Sequence, residues 1–585
     1  MSLTPQIIVL DTGGQYCHLI ARKVRELGVY AEVRAPETPA AALKAVRGII
    51  ISGGPASVYE ENSPSVDPAL FSMSVPVLGI CYGQHLMAHL LGGRVQKGDQ
   101  GEYGLAYLDV IAPKGPLRGI SGKQRVWMSH RDTTVAVPPG FEVLAQTSTC
   151  PVAAMGDERR KLFGLQFHPE VAHTQPGGRV LANFLFDICG CVEDWDPRQR
   201  IPAIEEQIRQ AAAGRKVFFF VSGGVDSTVA FDLCLRALGP ERVHGAYVDT
   251  GLMREGETEL VRTNFAKLGA RNFRIVDASA EFLTSLAGVV EPEVKRQIIG
   301  EHFVAIQEQI LQSGHYTDSD WVLGQGTIYP DTIESGGTAK ADKIKTHHNR
   351  VAGIQKLIES GRIVEPLSQF YKDEVREIGR QLEIPEEMLS RHPFPGPALA
   401  IRCLCSREET PVRRAHDGYL LPVRSVGVQG DSRTYRAAFA LPYLPSDWQL
   451  PTELINRHSE INRVVAVVAT HTPVGGLRSF AATITEERLE RLRRVDAAVQ
   501  RLSQASGFDR TIWQFPVILL PVGTLDRPDS VVLRPVDSVD GMTAEAVRMP
   551  DALLEHICRE LLETEGVSTV FYDLTHKPPA TIEWE

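Results

Sequence analysis

The chain has no apolar run long enough to span a bilayer. Its start, MSLTPQIIVLDTGG, carries neither a basic segment nor a cleavable apolar stretch, so no membrane anchor or secretory signal is expected. Cysteine is sparse: nine residues are scattered over 585 positions, which argues against a disulfide framework. Cys403 and Cys405 are close neighbours, but no second Cys/His pair stands beside them, so they do not read as a metal site. An excess of positive charge is also missing. The formal net charge of −10 argues against nucleic acid as the main partner. Hydrophobic residues at 43% and charged residues at 23% are ordinary for a globular protein. The length suggests about three or four domains. These bounds point to a cytoplasmic enzyme; small-molecule partners and a monomer or homodimer are expected of it.

The organising stretch is Val217 to Ser227, VFFFVSGGVDS. Five apolar residues make a buried strand, SGGVDS turns the chain, and a helical pattern runs on to the stop at Gly239-Pro240. A strand, glycine turn and helix point backbone N–H groups and a helix N-terminus at an anion. The glycines permit close approach. Ser222 and Ser227 can donate to phosphate oxygens, and Asp226 beside a phosphate suggests a bridging Mg²⁺. No Lys follows the glycines, so this is not the common phosphate loop. SGGVDS instead resembles the loop of the ATP pyrophosphatase family. That resemblance implies Mg-ATP binding by Ser222, Gly223, Gly224, Val225, Asp226, Ser227 and Thr228, with attack on the α-phosphate and transfer of AMP.

Upstream, short strands at 7–10, 49–51 and 75–80 alternate with helical patterns, which implies a parallel sheet with its site at the carboxyl ends of the strands. Cys81 in GICYG stands at a sharp strand-to-helix turn, the cysteine counterpart of a nucleophile elbow. The helix N-terminus behind it would favour thiolate. LFGLQFHPE offers His168 as base and Glu170 as its orienter. The Gly53-Gly54 amides suit an oxyanion hole, with Gly54 and Tyr82 as the two donors. GICYGQ, SGGP and FHPE, in that order, resemble a class I glutamine amidotransferase over residues 1–195. The resemblance implies a glutamyl thioester on Cys81, with His168 protonating the departing ammonia and then activating water.

From Asp196-Pro197 a second domain is expected, reaching to about residue 400. Asp249-Thr250-Gly251 ends one of its strands at the adenine side of the nucleotide pocket. EPEVKRQIIGEHF is a helix whose Lys295 and Arg296, taken alone, read as solvated surface. The stretch 335–342 has the composition of a lid, and Lys345 at its base would close on phosphates. His347 and His348 are a poor metal pair. EPLSQFYKDEVREIG and RHPFPGPALA follow. Together with SGGVDS, these strings resemble the ATP pyrophosphatase domain of the GMP synthetase family. The turn departs from the GPGL expected of that family by placing Ala398 after Gly396-Pro397. If the position needs positive φ, alanine costs about 1 kcal/mol there.

Residues 401–585 contain a weak duplication. INRVVAVVATHTP matches GVSTVFYDLTHKPP, each a strand leading to Thr-His-x-Pro, with YRAAFAL and SVVLRPV as equivalent upstream strands. The end, HKPPATIEWE, is too rich in Pro, Ile and Trp for a floppy terminus. It resembles the C-terminus of the GMP synthetase family in its longer form. The resemblance places the XMP substrate against Arg296, Asp447, Gln514, Lys577, Ile582 and Glu583. Arg296 and Lys577 suit a phosphate, and Glu583 suits ribose or ring N–H groups.

The expected fold class is α/β: two doubly wound parallel-sheet domains, residues 1–196 and 197–400, followed by an α+β domain with an internal repeat, residues 401–585. The expected reaction makes GMP from XMP, ATP and glutamine, with Mg²⁺ accompanying ATP. Synthetases making asparagine, NAD or thiolated tRNA also use SGGxDS but are not expected to join it to this amidotransferase and this terminus. A non-catalytic binding protein has no chemical reason to keep Cys81, His168, Glu170 and SGGVDS together.

Overall fold

A computed structural model describes residues 4–14, 16–334, 352–429, 432–448, 450–538 and 544–585. They form two compact units, one reaching to Ala203 and the other running from Ile204 to Glu585. The stretch 335–342, Lys345, His347 and His348 lie outside the described residues. Among the described residues, no helix is long and apolar enough to cross a membrane.

The N-terminal unit carries β1 (Ile7–Leu10), β2 (Ala31–Arg34), β3 (Gly48–Ile51), β4 (Val77–Ile80), β5 (Arg94–Val110), β6 (Gly122–Ala136), β7 (Glu142–Gln146), β8 (Ala154–Asp157) and β9 (Leu162–Leu165). They form one sheet in the order β2-β1-β3-β4-β9-β8-β7-β5-β6. The first five in that order are parallel, and β1, β3, β4 and β9 are buried along their length, as strands covered on both faces should be. The remaining pairings are antiparallel. The unit is therefore a mixed sheet rather than the wholly parallel one expected. The antiparallel wing is built on the long β5–β6 hairpin, and exposed and buried side chains alternate along the middle of β6. Helices α1 (Cys17–Glu26) and α2 (Tyr82–Leu90) follow β1 and β4.

The second unit begins with β10 (Lys216–Phe220), β11 (Val243–Asp249), β12 (Asn272–Asp277), β13 (Trp321–Gly324) and β14 (Ile363–Val364). Their order is β12-β11-β10-β13-β14, all parallel. The order reverses at β10, and α3 (Val225–Leu238) starts there. Ligands of open α/β sheets bind at such a switch point. Helices α4 (Pro292–Ser313) and α5 (Lys372–Gln381) belong to the same layer structure.

A seven-stranded sheet completes this unit. It contains β15 (Arg413–Ala415), β16 (Gly418–Gln429), β17 (Ser432–Leu441), β18 (Ile461–Thr470), β19 (Val517–Leu520), β20 (Asp529–Leu533) and β21 (Val567–Asp573), in the order β15-β16-β17-β18-β21-β20-β19. β18 and β21 pair antiparallel at its centre. Moving outward on either side, the next pairing is parallel and the one after it antiparallel. Helices α6 (Leu450–Arg457), α7 (Glu486–Ser506) and α8 (Asp551–Glu563) flank it. One apolar core runs from Phe218 through Leu399 to Leu574, so the boundary expected near residue 400 falls inside a continuous core.

Candidate active sites

In the N-terminal unit, Cys81 caps α2 with φ +53° and ψ −106°. A non-glycine residue holds such a conformation only where its surroundings over-determine it. Gly83 supplies part of that constraint: a Cβ there would lie 2.4 Å from the Ile51 carbonyl oxygen. The turn aims the thiol at His168. Gly53 packs between them, its hypothetical Cβ only 3.2 Å from His168 Cε1 and 3.4 Å from Cys81 Cβ, so no larger residue fits. His168 Nδ1 lies 2.6 Å from Glu170 Oε1, and both side chains are buried. Burial works against an imidazolium, but the Glu170 charge and hydrogen bonds with Cys81 and Glu170 outweigh it and raise the His168 pKa to about 10. The histidine is held as an acid. Tyr82 opens α2, so its amide is one of the helix's first N–H groups. Gly54 sits on a loop pinned by Thr12, whose hydroxyl donates to the Gly53 carbonyl at 2.9 Å.

Gln166 was not marked by the sequence. Its Nε2 donates to Cys81 Sγ at 3.8 Å, while its Oε1 meets His85 Nε2 at 2.6 Å and Gln84 Nε2 at 3.4 Å. Two donors on the amide oxygen fix which end faces the sulfur. Burial lowers the His85 pKa to about 4 despite the bond to Gln166, so His85 stays neutral.

In the second unit, Gly223 (φ +73°) turns the chain and Gly224 caps α3. A Cβ on Gly223 would sit 2.7 Å from Val261 Cγ2. The hydroxyls fold inward: Ser222 Oγ and Ser227 Oγ are 3.2 Å apart, and Ser227 and Thr228 donate to the Gly224 carbonyl at 3.0 and 2.8 Å. Val225 opens the helix and is buried. Asp226 presents a buried Oδ1 with no hydrogen-bond partner, and its Oδ2 lies 3.8 Å from Lys372 Nζ. Burial raises its pKa, Lys372 opposes this, and the nearby Asp331 carboxylate adds to it. A partnerless oxygen with a second carboxylate in its neighbourhood is a donor set that a hard divalent cation satisfies, so these residues fit Mg²⁺. Lys372 lay within a recognised string, but nothing local distinguishes it from a surface lysine. Asp249 at the end of β11 is engaged by the Gly251 amide at 2.9 Å and the Thr258 hydroxyl at 2.6 Å, which holds that edge of the loop.

The third constellation gathers on the last residues of the chain. Trp584 is fully buried and Glu585 nearly so. Arg463 and Arg534, both buried, share Asp573 Oδ2 at 2.8 and 2.9 Å. Burial disfavours the Asp573 charge, but the two guanidiniums hold its pKa below the usual carboxylate range. The same arginines donate to the carbonyls of Thr581, Ile582 and Glu583, which is how Ile582 enters the cluster. Glu583 is gripped by Arg402 through two hydrogen bonds, 3.0 and 2.7 Å, and Gln514 Nε2 lies 3.4 Å from it. Arg296 donates to the Glu585 carbonyl and Lys295 to its carboxylate. Lys295 is completely buried, contrary to the solvated position expected of it. Its ammonium also meets the carbonyls of Ala400 and Cys403, contacts that close only in the tertiary fold. Arg402 Nη1 and Arg296 Nε are buried without a hydrogen-bond partner. Lys577 is half-buried on a short pairing with Ala544. Asp447 is exposed in the loop before α6, and among the described residues no hydrogen bond or ion pair joins it directly to Arg296, Gln514 or Glu583. Ala398 has φ +53°, so the condition under which alanine carries a strain cost at this position is met.

Three family models match the chain: glutamine amidotransferase class-I over residues 8–188, NAD synthase over 198–293 and GMP synthase C terminal domain over 501–584. Similar full-length proteins include a "Probable GMP synthase [glutamine-hydrolyzing]" of Leptospira interrogans serovar copenhageni, 41% identical over 614 residues and covering 100% of both chains. Proteins named "GMP synthase [glutamine-hydrolyzing]" from Caldicellulosiruptor saccharolyticus and Aquifex aeolicus are 40% and 39% identical, each comparison covering 99% of both chains.

Proposed function

The chain belongs to the glutamine-hydrolysing GMP synthase family, and we propose how its residues divide that work. The reaction makes GMP from XMP with glutamine as nitrogen donor and ATP as activating substrate. The C2 oxygen of XMP attacks the α-phosphorus of ATP and pyrophosphate leaves. Ammonia then attacks C2 and AMP departs, so a poor oxygen leaving group has been exchanged for a good one.

Residues 1–196 carry the glutaminase half. Cys81 Sγ attacks the side-chain amide of glutamine while the Gly54 and Tyr82 amides receive the developing oxyanion. His168, held protonated by Glu170, gives its proton to the departing ammonia and then takes one from the water that cleaves the thioester. The observation that carries this reading is the buried 2.6 Å His168–Glu170 contact behind a cysteine forced to positive φ. Gln166 donates to the same sulfur and steadies it.

Residues 197–400 carry adenylation. The amides and hydroxyls of residues 222–228 cradle the phosphates of ATP, and Lys345 is proposed to close on them. Asp226, with Asp331 beyond it, would hold the Mg²⁺ that arrives with ATP. Bound there, the ion supplies charge neutralisation on the departing pyrophosphate. Residues 401–585 recognise XMP together with Arg296. The unpartnered N–H groups of Arg296 and Arg402 suit its anionic oxygens, Gln514 and Glu583 suit its polar edge, and Lys577, Ile582 and Asp447 complete the proposed set. The outward pattern of pairings about β18 and β21 supports a duplicated unit. Two copies would meet inside one chain across a surface that another protomer would otherwise cover. Light scattering showing an obligate dimer built through that sheet would count against this.

Incubation of the purified protein with XMP, Mg-ATP and glutamine tests the whole reading. GMP, AMP, pyrophosphate and glutamate should appear in equal amounts. Release of ADP and phosphate, or turnover independent of XMP, would sink it.

A further inference from the structure

We propose that Glu102, His130 and Cys150 form a site for a thiophilic divalent cation, with Zn²⁺ as the ion that suits them. The three residues come from β5, from β6 and from the turn between β7 and β8, and their donor atoms all lie within 4.8 Å of one another. His130 and Cys150 are buried, and the Glu102 side chain is 15% exposed, which leaves an entrance on one side.

The outer contacts aim each donor inward. His130 Nδ1 lies 2.8 Å from the Asp132 carbonyl, so that nitrogen carries a proton and Nε2 is the inward-facing atom. Nε2 stands 3.2 Å from Glu102 Oε2. On a neutral imidazole these are two lone pairs facing each other, and only a further proton or a cation reconciles them. A backbone carbonyl behind a histidine is the support that metal-bound imidazoles have. Glu102 Oε1 accepts from the Thr147 hydroxyl at 2.8 Å, which turns Oε2 inward. The same hydroxyl accepts from the Cys150 amide at 3.0 Å and fixes the turn that presents the thiol.

Charge balances as well. The cation displaces one proton from the Cys150 thiol, and the thiolate and carboxylate together neutralise the dication. One sulfur, one imidazole and one carboxylate suit tetrahedral Zn²⁺ with water as fourth ligand. Mg²⁺ requires oxygen donors, so the ion accompanying ATP does not compete. The consequence reaches the nucleophile. Ser129, next to His130, offers the carbonyl that accepts from Cys81 Sγ at 3.6 Å. The cation would clamp β6 to its neighbours beside the thiol without touching the substrate.

The test uses the full chain freed of metal and titrated with Co²⁺. We expect thiolate-to-cobalt charge-transfer absorption that saturates at one ion per chain. That absorption should vanish in Cys150→Ser, persist in Cys81→Ala, and require at least about tenfold more Co²⁺ in Glu102→Gln. The exposed group His416, His458 and Glu460 also brings its donor atoms within 4.8 Å, but it holds no sulfur and cannot give that band. Absence of the band in the wild type, its loss in Cys81→Ala, or its survival in Cys150→Ser overturns the proposal. Should Cys150→Ser fail to fold, zinc X-ray absorption on the wild type decides. A single sulfur ligand supports the site, and none or two refute it.

Discussion

Replacing Glu170 by Gln removes one charge while keeping the shape of the site. The carboxylate sends Oε1 to His168 at 2.6 Å, and its buried Oε2 has no partner. A glutamine can therefore keep its oxygen on the histidine and turn its amide into the vacant direction. What is lost is the charge that, together with the Cys81 contact, offsets burial and raises His168 from 6.5 to about 10. At about 1.4 kcal/mol per pH unit, the net rise is worth roughly 5 kcal/mol, which sets the order of magnitude of the loss. A fall of about 10³-fold in glutamine hydrolysis is expected, below the roughly 10⁴-fold seen when the orienting carboxylate of a triad is neutralised. GMP synthesis from added ammonia should stay within about twofold, because it does not use the imidazolium. The pH dependence follows the same charge. A histidine whose folded pKa is raised contributes stability that is fully present below about 6.5 and lost as pH rises through about 10. The difference in Tm between the wild type and Glu170→Gln should be largest near pH 6 and fade by about pH 10. Glutamate release from glutamine, followed beside ammonia-driven GMP formation, measures the first effect. A glutaminase rate within about threefold of the wild type would refute the reasoning, because the charge would then do nothing for catalysis.

Cys81→Ala should abolish glutamine-dependent GMP formation and spare ammonia-dependent formation, so equal loss of both would disprove the division of labour. Asp226→Asn should slow pyrophosphate release by about 10²-fold, the scale of one preorganised electrostatic contact, while glutamine hydrolysis continues. Unchanged pyrophosphate release would remove Asp226 from the metal site. Glu583→Gln leaves the buried Arg402 guanidinium without its counter-charge and should cost about 3 kcal/mol in urea unfolding, with a raised KM for XMP. A neutral outcome in both measurements would show that the pair neither holds the terminus nor meets the substrate.

The parts legible in the sequence are those whose chemistry is local. A cysteine at a strand-to-helix turn, two glycines ahead of a helix and a His-x-Glu pair each carry their geometry within a few residues. Strands such as Ile7–Leu10 and Val77–Ile80 were readable because both faces are apolar and covered. The wing from β5 to β8 was not, because its alternation is long and its pairings are not fixed by any local turn signal. The two-residue strand Ile363–Val364 is too short to show a period. Lys295 was misread as surface, and Arg402, Arg463 and Arg534 were passed over, for a different reason. A cation reads as surface unless its counter-charge is known, and here the counter-charges lie up to 290 positions away, as between Lys295 and Glu585.

That distance explains why the end of the chain matters. Arg402 is fully buried, and two of its N–H groups are committed to Glu583. Its Nη1 remains unsatisfied, as does Nε of Arg296. A buried donor left unpaired costs about 1–3 kcal/mol, and the fold accepts that cost at two guanidiniums around one terminus. In the proposed XMP site an anionic substrate oxygen would satisfy such donors on binding, so part of its affinity would be stored in the free protein as unmet hydrogen bonding. Glu583 does not stand in the way. Its Oε2 accepts one hydrogen bond from Arg402 and keeps a lone pair for another donor, while Oε1 is shared by Arg402 and Gln514, so the arginine orients the carboxylate and leaves one oxygen able to accept from a substrate N–H or hydroxyl. Recognition then requires no exchange of partners within the cluster, only the arrival of a ligand carrying acceptors on one side and a donor on the other, which a nucleoside monophosphate does.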